Sequence, residues 1–122
     1  MRMRANVGGN PSSGLRGAGA PTTAQVETAV GALMLLADAT RLQMLFLLGN
    51  GEQDVGTLAA SIGTTPASAS QHLAKLRLAG LVAVRQEGKR RVYSTRGGHV
   101  RHLVEEALHF ADHRISGHPD HA

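Results

Sequence analysis

The chain has 122 residues, enough for one domain with a modest core and short tails. It has no cysteine, which excludes disulfides, thiolate metal sites and cysteine redox switches, and its only aromatic residues are Phe46, Tyr93 and Phe110, so the core must be aliphatic. The formal charge of +4 points towards a polyanionic partner.

Residues 1–21 hold five glycines and two prolines and almost no large apolar side chain, and are expected to be a disordered N-terminal tail. Met1-Arg2-Met3-Arg4 is followed by no apolar stretch, so no secretory signal is expected. Residues 1–26 contain no acid, as in a transit peptide, but glycine and proline dominate and no amphipathic helix is visible, so none is expected. The longest apolar run, Ala29 to Ala37, is nine residues with a glycine inside. It is too short to span a bilayer, and the expected location is the cytoplasm with no membrane partner.

Helical periodicity starts after Pro21. Val26, Ala29, Val30, Leu33, Leu36 and Ala37 recur at three- and four-residue steps and predict a first helix over 22–37. Asp38 is placed to cap a second helix from Ala39 to about Leu48, which Gly49-Asn50-Gly51 stops. Asp54 is placed to cap a short third helix, Val55 to Ile62, ended by Gly63. Thr65-Pro66 sets a hydroxyl at the N-cap and a proline at N1, and a fourth helix runs from there to about Ala79. Leu81 to Arg85 and Arg90 to Ser94 are β-rich runs around Gln86-Glu87-Gly88-Lys89 and predict a hairpin. A last helix occupies roughly Gly98 to Ile115, and 117–122 form a tail containing His118 and His121.

A short helix, a turn with glycine and a second helix make a helix-turn-helix, and the hairpin after it makes a winged helix. The expected fold is therefore mainly α with a small β-hairpin wing, occupying residues 22–116. On the fourth helix Ala69, Leu73, Leu76 and Gly80 mark the expected buried side, while Ser68, Gln71 and Lys75 mark the opposite face and Ser70 the flank near its start. In this motif the N-terminal part of the second helix enters the major groove, where glutamine pairs with adenine and serine contacts bases or phosphates. From Arg85 to Arg101 the chain carries six cations and a single acid, Glu87. Of these, Arg85, Lys89, Arg90 and Arg91 on the hairpin suit phosphates or the minor groove.

Leu36-Ala37-Asp38-Ala39-Thr40-Arg41-Leu42, Ser70-Gln71-His72-Leu73-Ala74-Lys75-Leu76 and Gly80-Leu81-Val82 together resemble the ArsR/SmtB family of metal-responsive repressors, over about residues 25–115. The resemblance implies a homodimer paired through its first and last helices, which binds double-stranded operator DNA and is released by inducer. It carries Ser68, Ser70 and Gln71 over as recognition residues. His72 belongs to the same signature as either a recognition or a structural residue.

Six of the seven histidines lie in the last 24 residues. His99, His102, Glu106, His109 and His113 fall at i, i+3, i+7, i+10 and i+14, along one stripe of the last helix. Imidazole is the commonest biological metal ligand, with bonds of about 2.0–2.1 Å. His99 and His113 are about 21 Å apart on a straight helix and cannot share an ion within one chain. Two antiparallel copies bring His99 of one to His113 of the other, at two symmetric sites. The resemblance implies such bridging sites, but the family's common pattern has an acid where Gly97 stands and a ligand where Phe110 stands. The nickel- and cobalt-sensing branch is nearer, with an acid–histidine pair matched by Asp112-His113 and further histidines in the tail.

The candidate metal ligands are therefore His99, His109, Asp112, His113, His118 and His121, with His102 and Glu106 as neighbours that face solvent or join them. The expected cofactor is Ni(II) or Co(II), or Zn(II) if the shell is tetrahedral. No Ser/His/Asp arrangement, metalloprotease spacing or glycine-rich phosphate cradle is present, so no catalysis is expected. The alternatives are a winged-helix regulator answering another signal or none, and a non-specific chromatin-like DNA binder.

Overall fold

The computed structural model describes residues 19–117. The expected disorder of 1–21 concerns residues mostly outside that range, and His118 and His121 lie outside it altogether. The chain divides into a unit ending at Met34 and a unit beginning at Leu35.

The first unit holds most of α1 (Thr23–Leu36). A capping box opens the helix. The Gln25 amide donates to Thr22 Oγ1 at 3.1 Å and the Thr22 amide donates to Gln25 Oε1 at 2.8 Å, so two otherwise orphaned N–H groups are satisfied reciprocally. Of the apolar side chains that predicted this helix, Val26, Val30 and Leu33 are exposed in the single chain, as is Met34, while Leu36 is buried.

The second unit contains α2 (Ala39–Gly49), β1 (Gln53–Asp54), α3 (Val55–Ile62), α4 (Pro66–Leu78), β2 (Val82–Glu87), β3 (Arg90–Thr95) and α5 (Gly97–Ser116). Each helix contributes a few apolar residues at helical spacing to one core: Met44, Leu45 and Leu48 from α2, Leu58 and Ala59 from α3, Ala69, Leu73 and Leu76 from α4, Val100 and Val104 from α5. Val82 and Tyr93 close it from the strands. The core contains no buried charged residue, so apolar burial is its main favourable term.

The caps follow the sequence. Asp38 accepts the Arg41 amide at 2.9 Å and starts α2, and Thr65 accepts the Ser68 amide at 3.1 Å and starts α4 behind Pro66 at the first turn. Gly63 ends α3 at φ 73°, a left-handed conformation that favours glycine.

Four expectations are corrected. The wing is not an isolated hairpin: β1 pairs antiparallel with β3, through Gln53↔Tyr93 and Asp54↔Val92, giving a three-stranded sheet in the order β1-β3-β2. The strands run further than expected and pair out to Glu87↔Arg90, which leaves only Gly88 and Lys89 in the turn, with Gly88 at φ 61°. Such a turn closes a twisted hairpin tightly. Asp54 stands at the N-cap of α3 without capping it through its side chain, because its carboxylate takes the Thr57 hydroxyl at 2.5 Å. Gly80, expected on the buried side of α4, is exposed: the helix stops at Leu78 and Gly80 turns the chain at φ 81° towards β2.

Candidate nucleic-acid interface and metal face

α4 presents a divided surface. Ala69, Leu73 and Leu76 are fully buried, while Ser70, Gln71 and Lys75 are exposed and Ser68 is half-buried with its amide committed to the Thr65 cap. The polar side chains expected to read DNA thus stand on the free face of a helix whose other face is locked into the core. Arg77, also exposed, adds a cation in the last turn that the sequence reading did not single out.

Behind α4 lies a polar joint. The Arg41 guanidinium donates from Nε to the Leu35 carbonyl at 2.7 Å, and its NH1 lies 3.3 Å from His72 Nδ1. A guanidinium only donates, so Nδ1 is the acceptor and His72 has a structural role, joining α4 to the start of α2. Asp38 completes the joint, and its carboxyl is held below the ordinary value chiefly by the Arg41 backbone N–H.

The wing's four cations divide into two groups. Arg85 binds Glu52 bidentately, at 3.1 Å from Nε and 3.0 Å from NH2, and binds Glu87 at 2.8 Å from NH1. Arg90 reaches Glu87 at 3.4 Å and Asp54 at 3.5 Å. Hydrogen bonding to Glu52 pushes the Arg85 pKa up, and Arg85 in turn draws Glu52 down. Asp54 is drawn down first by the Thr57 hydroxyl and then by Arg90. Arg91 instead lies over the Tyr93 ring at 5.8 Å, a cation–π distance, and Lys89 sits at the turn with no partner among the described residues.

On α5 only Val100 and Val104 are buried. His99, His102, Glu106, His109 and Asp112 are exposed, and His113 is half-buried. Glu106, His109 and His113 line one open groove together with Phe110, and His109 Nδ1 lies 3.8 Å from Glu106 Oε1. His99 is at the far end of the helix, and Asp112 does not line the groove. Among the described residues, no three histidine or acidic side chains of one chain converge on a point where they could hold an ion. Beside the stripe, Leu103 and Phe110 are large apolar groups 43% and 61% exposed among the described residues.

Residues 38–84, from the start of α2 into β2, match the family model for bacterial regulatory proteins of the arsR family. The HTH-type transcriptional regulator KmtR of Mycobacterium tuberculosis is 44% identical over 97 residues, covering 80% of this chain and 75% of KmtR. The chain belongs to the ArsR family. NmtR, another HTH-type transcriptional regulator of the same organism, is 37% identical over 95 residues, which are 77% of this chain and 79% of NmtR. The solution structure of the homodimeric winged helix-turn-helix DNA-binding domain of Mb0332 from Mycobacterium bovis superposes with a TM-score of 0.72 at 33% identity, covering 81% of this chain and 92% of that one. This ArsR-family chain is accordingly a DNA-binding transcriptional regulator with a winged helix-turn-helix, and not an enzyme. No single helix among its described residues is long and apolar enough to cross a membrane.

Besides Arg77, two long-range pairings of the site escaped the sequence. Glu52 is 33 residues from Arg85, and no local pattern pairs them. The Arg41–His72 contact spans 31 residues, and its only trace is that both ends lie in the two signatures that carry the family resemblance.

Proposed function

We propose that the chain is a homodimeric repressor that binds a palindromic operator when metal-free and is released when a divalent transition metal binds at α5, Ni(II) or Co(II) first and Zn(II) next. The observation that carries this reading is the stripe on α5. A helix that buries only two of its 20 residues exposes His99, His102 and His109 beside Leu103 and Phe110. Exposed apolar groups of this size mark a surface that meets another surface, and imidazoles placed beside them lie where a second copy supplies further donors.

The donor chemistry fits the metal. Imidazole nitrogens with one or two carboxylates suit Ni(II), Co(II) and Zn(II), and the absence of thiols disfavours softer ions. One chain brings Glu106, His109 and His113 to one groove but not to one point, so a complete shell draws on other donors. His99 and Asp112 of a second copy and His118 and His121 of the tail are the candidates. The protomers pair through α1 and α5. On the DNA side, Ser68, Ser70, Gln71 and Lys75 enter the major groove and the wing follows the backbone.

Metal shifts the protein only by binding the DNA-incompetent arrangement more tightly, and coupling of about 1–3 kcal/mol corresponds to a 5–150-fold loss of operator affinity. The test uses a duplex selected from a random pool by the metal-free protein. Anisotropy titrations with and without Ni(II), Co(II) or Zn(II) should show that loss for the wild type and none for the His99→Ala/His113→Ala double variant. An equal response from both proteins makes the stripe incidental, and equal affinity for selected and unselected duplexes identifies a non-specific binder.

A further inference from the structure

The wing of this chain carries its own acids. Side chains alternate across a strand, and the register Glu87↔Arg90, Arg85↔Val92 and Asp54↔Val92 places Arg85, Glu87, Arg90 and Asp54 on one face of the sheet. Glu52, just before β1, reaches the same Arg85. That face therefore holds Arg85 and Arg90 against Glu52, Asp54 and Glu87, a group with more negative than positive charges. The other face carries Arg91 over Tyr93, and the turn carries Lys89, and among the described residues no acid pairs with either.

We infer that the carboxylates of Glu52 and Glu87 withhold Arg85 and Arg90 from DNA phosphates, so that the wing grips the backbone through Lys89 and Arg91 alone and its grip is set below what its cation count allows. The inference rests on the operator-binding reading. Arg85 has spent Nε and NH2 on one carboxylate and NH1 on another, and a phosphate that takes any of these N–H groups displaces a charge-assisted bond already made. The uncompensated acid also repels an approaching phosphate. Arg91 and Lys89 face neither obstacle, since a cation over a ring keeps its N–H groups for another acceptor. Such attenuation favours specificity, because phosphate contacts raise binding to every sequence alike while base contacts on α4 discriminate.

The experiment measures anisotropy of a fluorescein-labelled mixed-sequence duplex with the metal-free full chain across a range of salt. Each cation that neutralises a phosphate contributes about 0.9 to the slope of log K against log salt. Lys89→Ala and Arg91→Ala should each flatten the slope by about that amount, and Arg85→Ala should leave it unchanged. Glu52→Gln frees Arg85, so it should steepen the slope and raise affinity about two- to fivefold at low salt. Glu87→Gln should act in the same direction, and melting curves establish that both variants are folded. The inference is overturned if Arg85→Ala flattens the slope as Lys89→Ala does, or if neither glutamine variant changes slope or affinity while the wild type binds. A wild type that binds no duplex overturns this inference together with the operator reading, whereas normal binding with unresponsive glutamine variants overturns this inference alone.

Discussion

Arg41 touches three segments at once. It donates its backbone N–H to the Asp38 cap, its Nε to the carbonyl of Leu35 and its NH1 to His72 on α4. Arg41→Met keeps the stem and the cap but removes both guanidinium bonds, leaving a carbonyl and an imidazole nitrogen short of a donor. Urea unfolding should show a loss of about 2 kcal/mol. His72→Leu removes one contact and should cost about half that, and unchanged stability in both would show that the joint bears no weight. Asp38 at this joint and two acids by the wing set the response to pH. Asp38, Glu52 and Asp54 all have carboxyls held below their ordinary values, by the Arg41 amide, by Arg85 and by the Thr57 hydroxyl respectively. Between the folded and unfolded values the unfolded chain binds more protons, so this stabilisation is complete above the unfolded values of about 4 and is lost as pH falls below them. The melting temperature should be lower at about pH 3 than at neutrality. An Asp38→Asn/Glu52→Gln/Asp54→Asn variant should show a smaller drop, and an equal drop would assign acid sensitivity to other groups.

The elements differ in how far each could be read from the chain. α4 was almost fully legible, because Thr65, Pro66 and the Ala69–Leu73–Leu76 spacing each announce the same helix by independent physics: a cap, a fixed φ and a buried stripe. Its dependence on those devices can be measured. Thr65→Ala leaves the Ser68 amide without its acceptor and should cost about 1 kcal/mol of folding stability. Leu73→Ala empties a fully buried position and should cost about 2–5 kcal/mol. If DNA affinity falls in parallel with the Thr65 loss, the start of α4 is where the duplex is read. β1 was illegible for the converse reason. Two residues have no period, and Gln53-Asp54 becomes a strand only because β3 lies alongside. The wing cations were legible as charges but not as partners, since what commits Arg85 is an acid 33 residues away. The stripe on α5 is correctly periodic, yet periodicity does not bring side chains to a common point. Glu106, His109 and His113 share a groove while His99 stands apart.

At the scale of the molecule, a dimer is the arrangement in which these faces serve one another. The proposed operator has two half-sites and the proposed metal shell needs donors from beyond one helix, so a second copy meets both needs if it pairs along α5. Leu103 and Phe110, seven residues apart beside the stripe and both exposed in the single chain, are the proposed apolar anchors of that seam. Phe110→Glu replaces an exposed apolar side chain of each copy with a carboxylate that must lose its water for the proposed seam to close, and the two-fold repeats that cost at both ends. Sedimentation should shift the variant from dimer to monomer while its circular dichroism stays that of the wild type, because Phe110 is 61% exposed in the single chain and contributes little to the core. A monomer carries one recognition helix and one wing, so it neutralises half as many phosphates and its salt slope should fall to about half. Metal affinity should fall with it, since the surviving donors of one protomer do not converge. A variant that stays dimeric with full slope and full metal affinity would move the seam off α5, and with it the place where metal and DNA are proposed to be coupled.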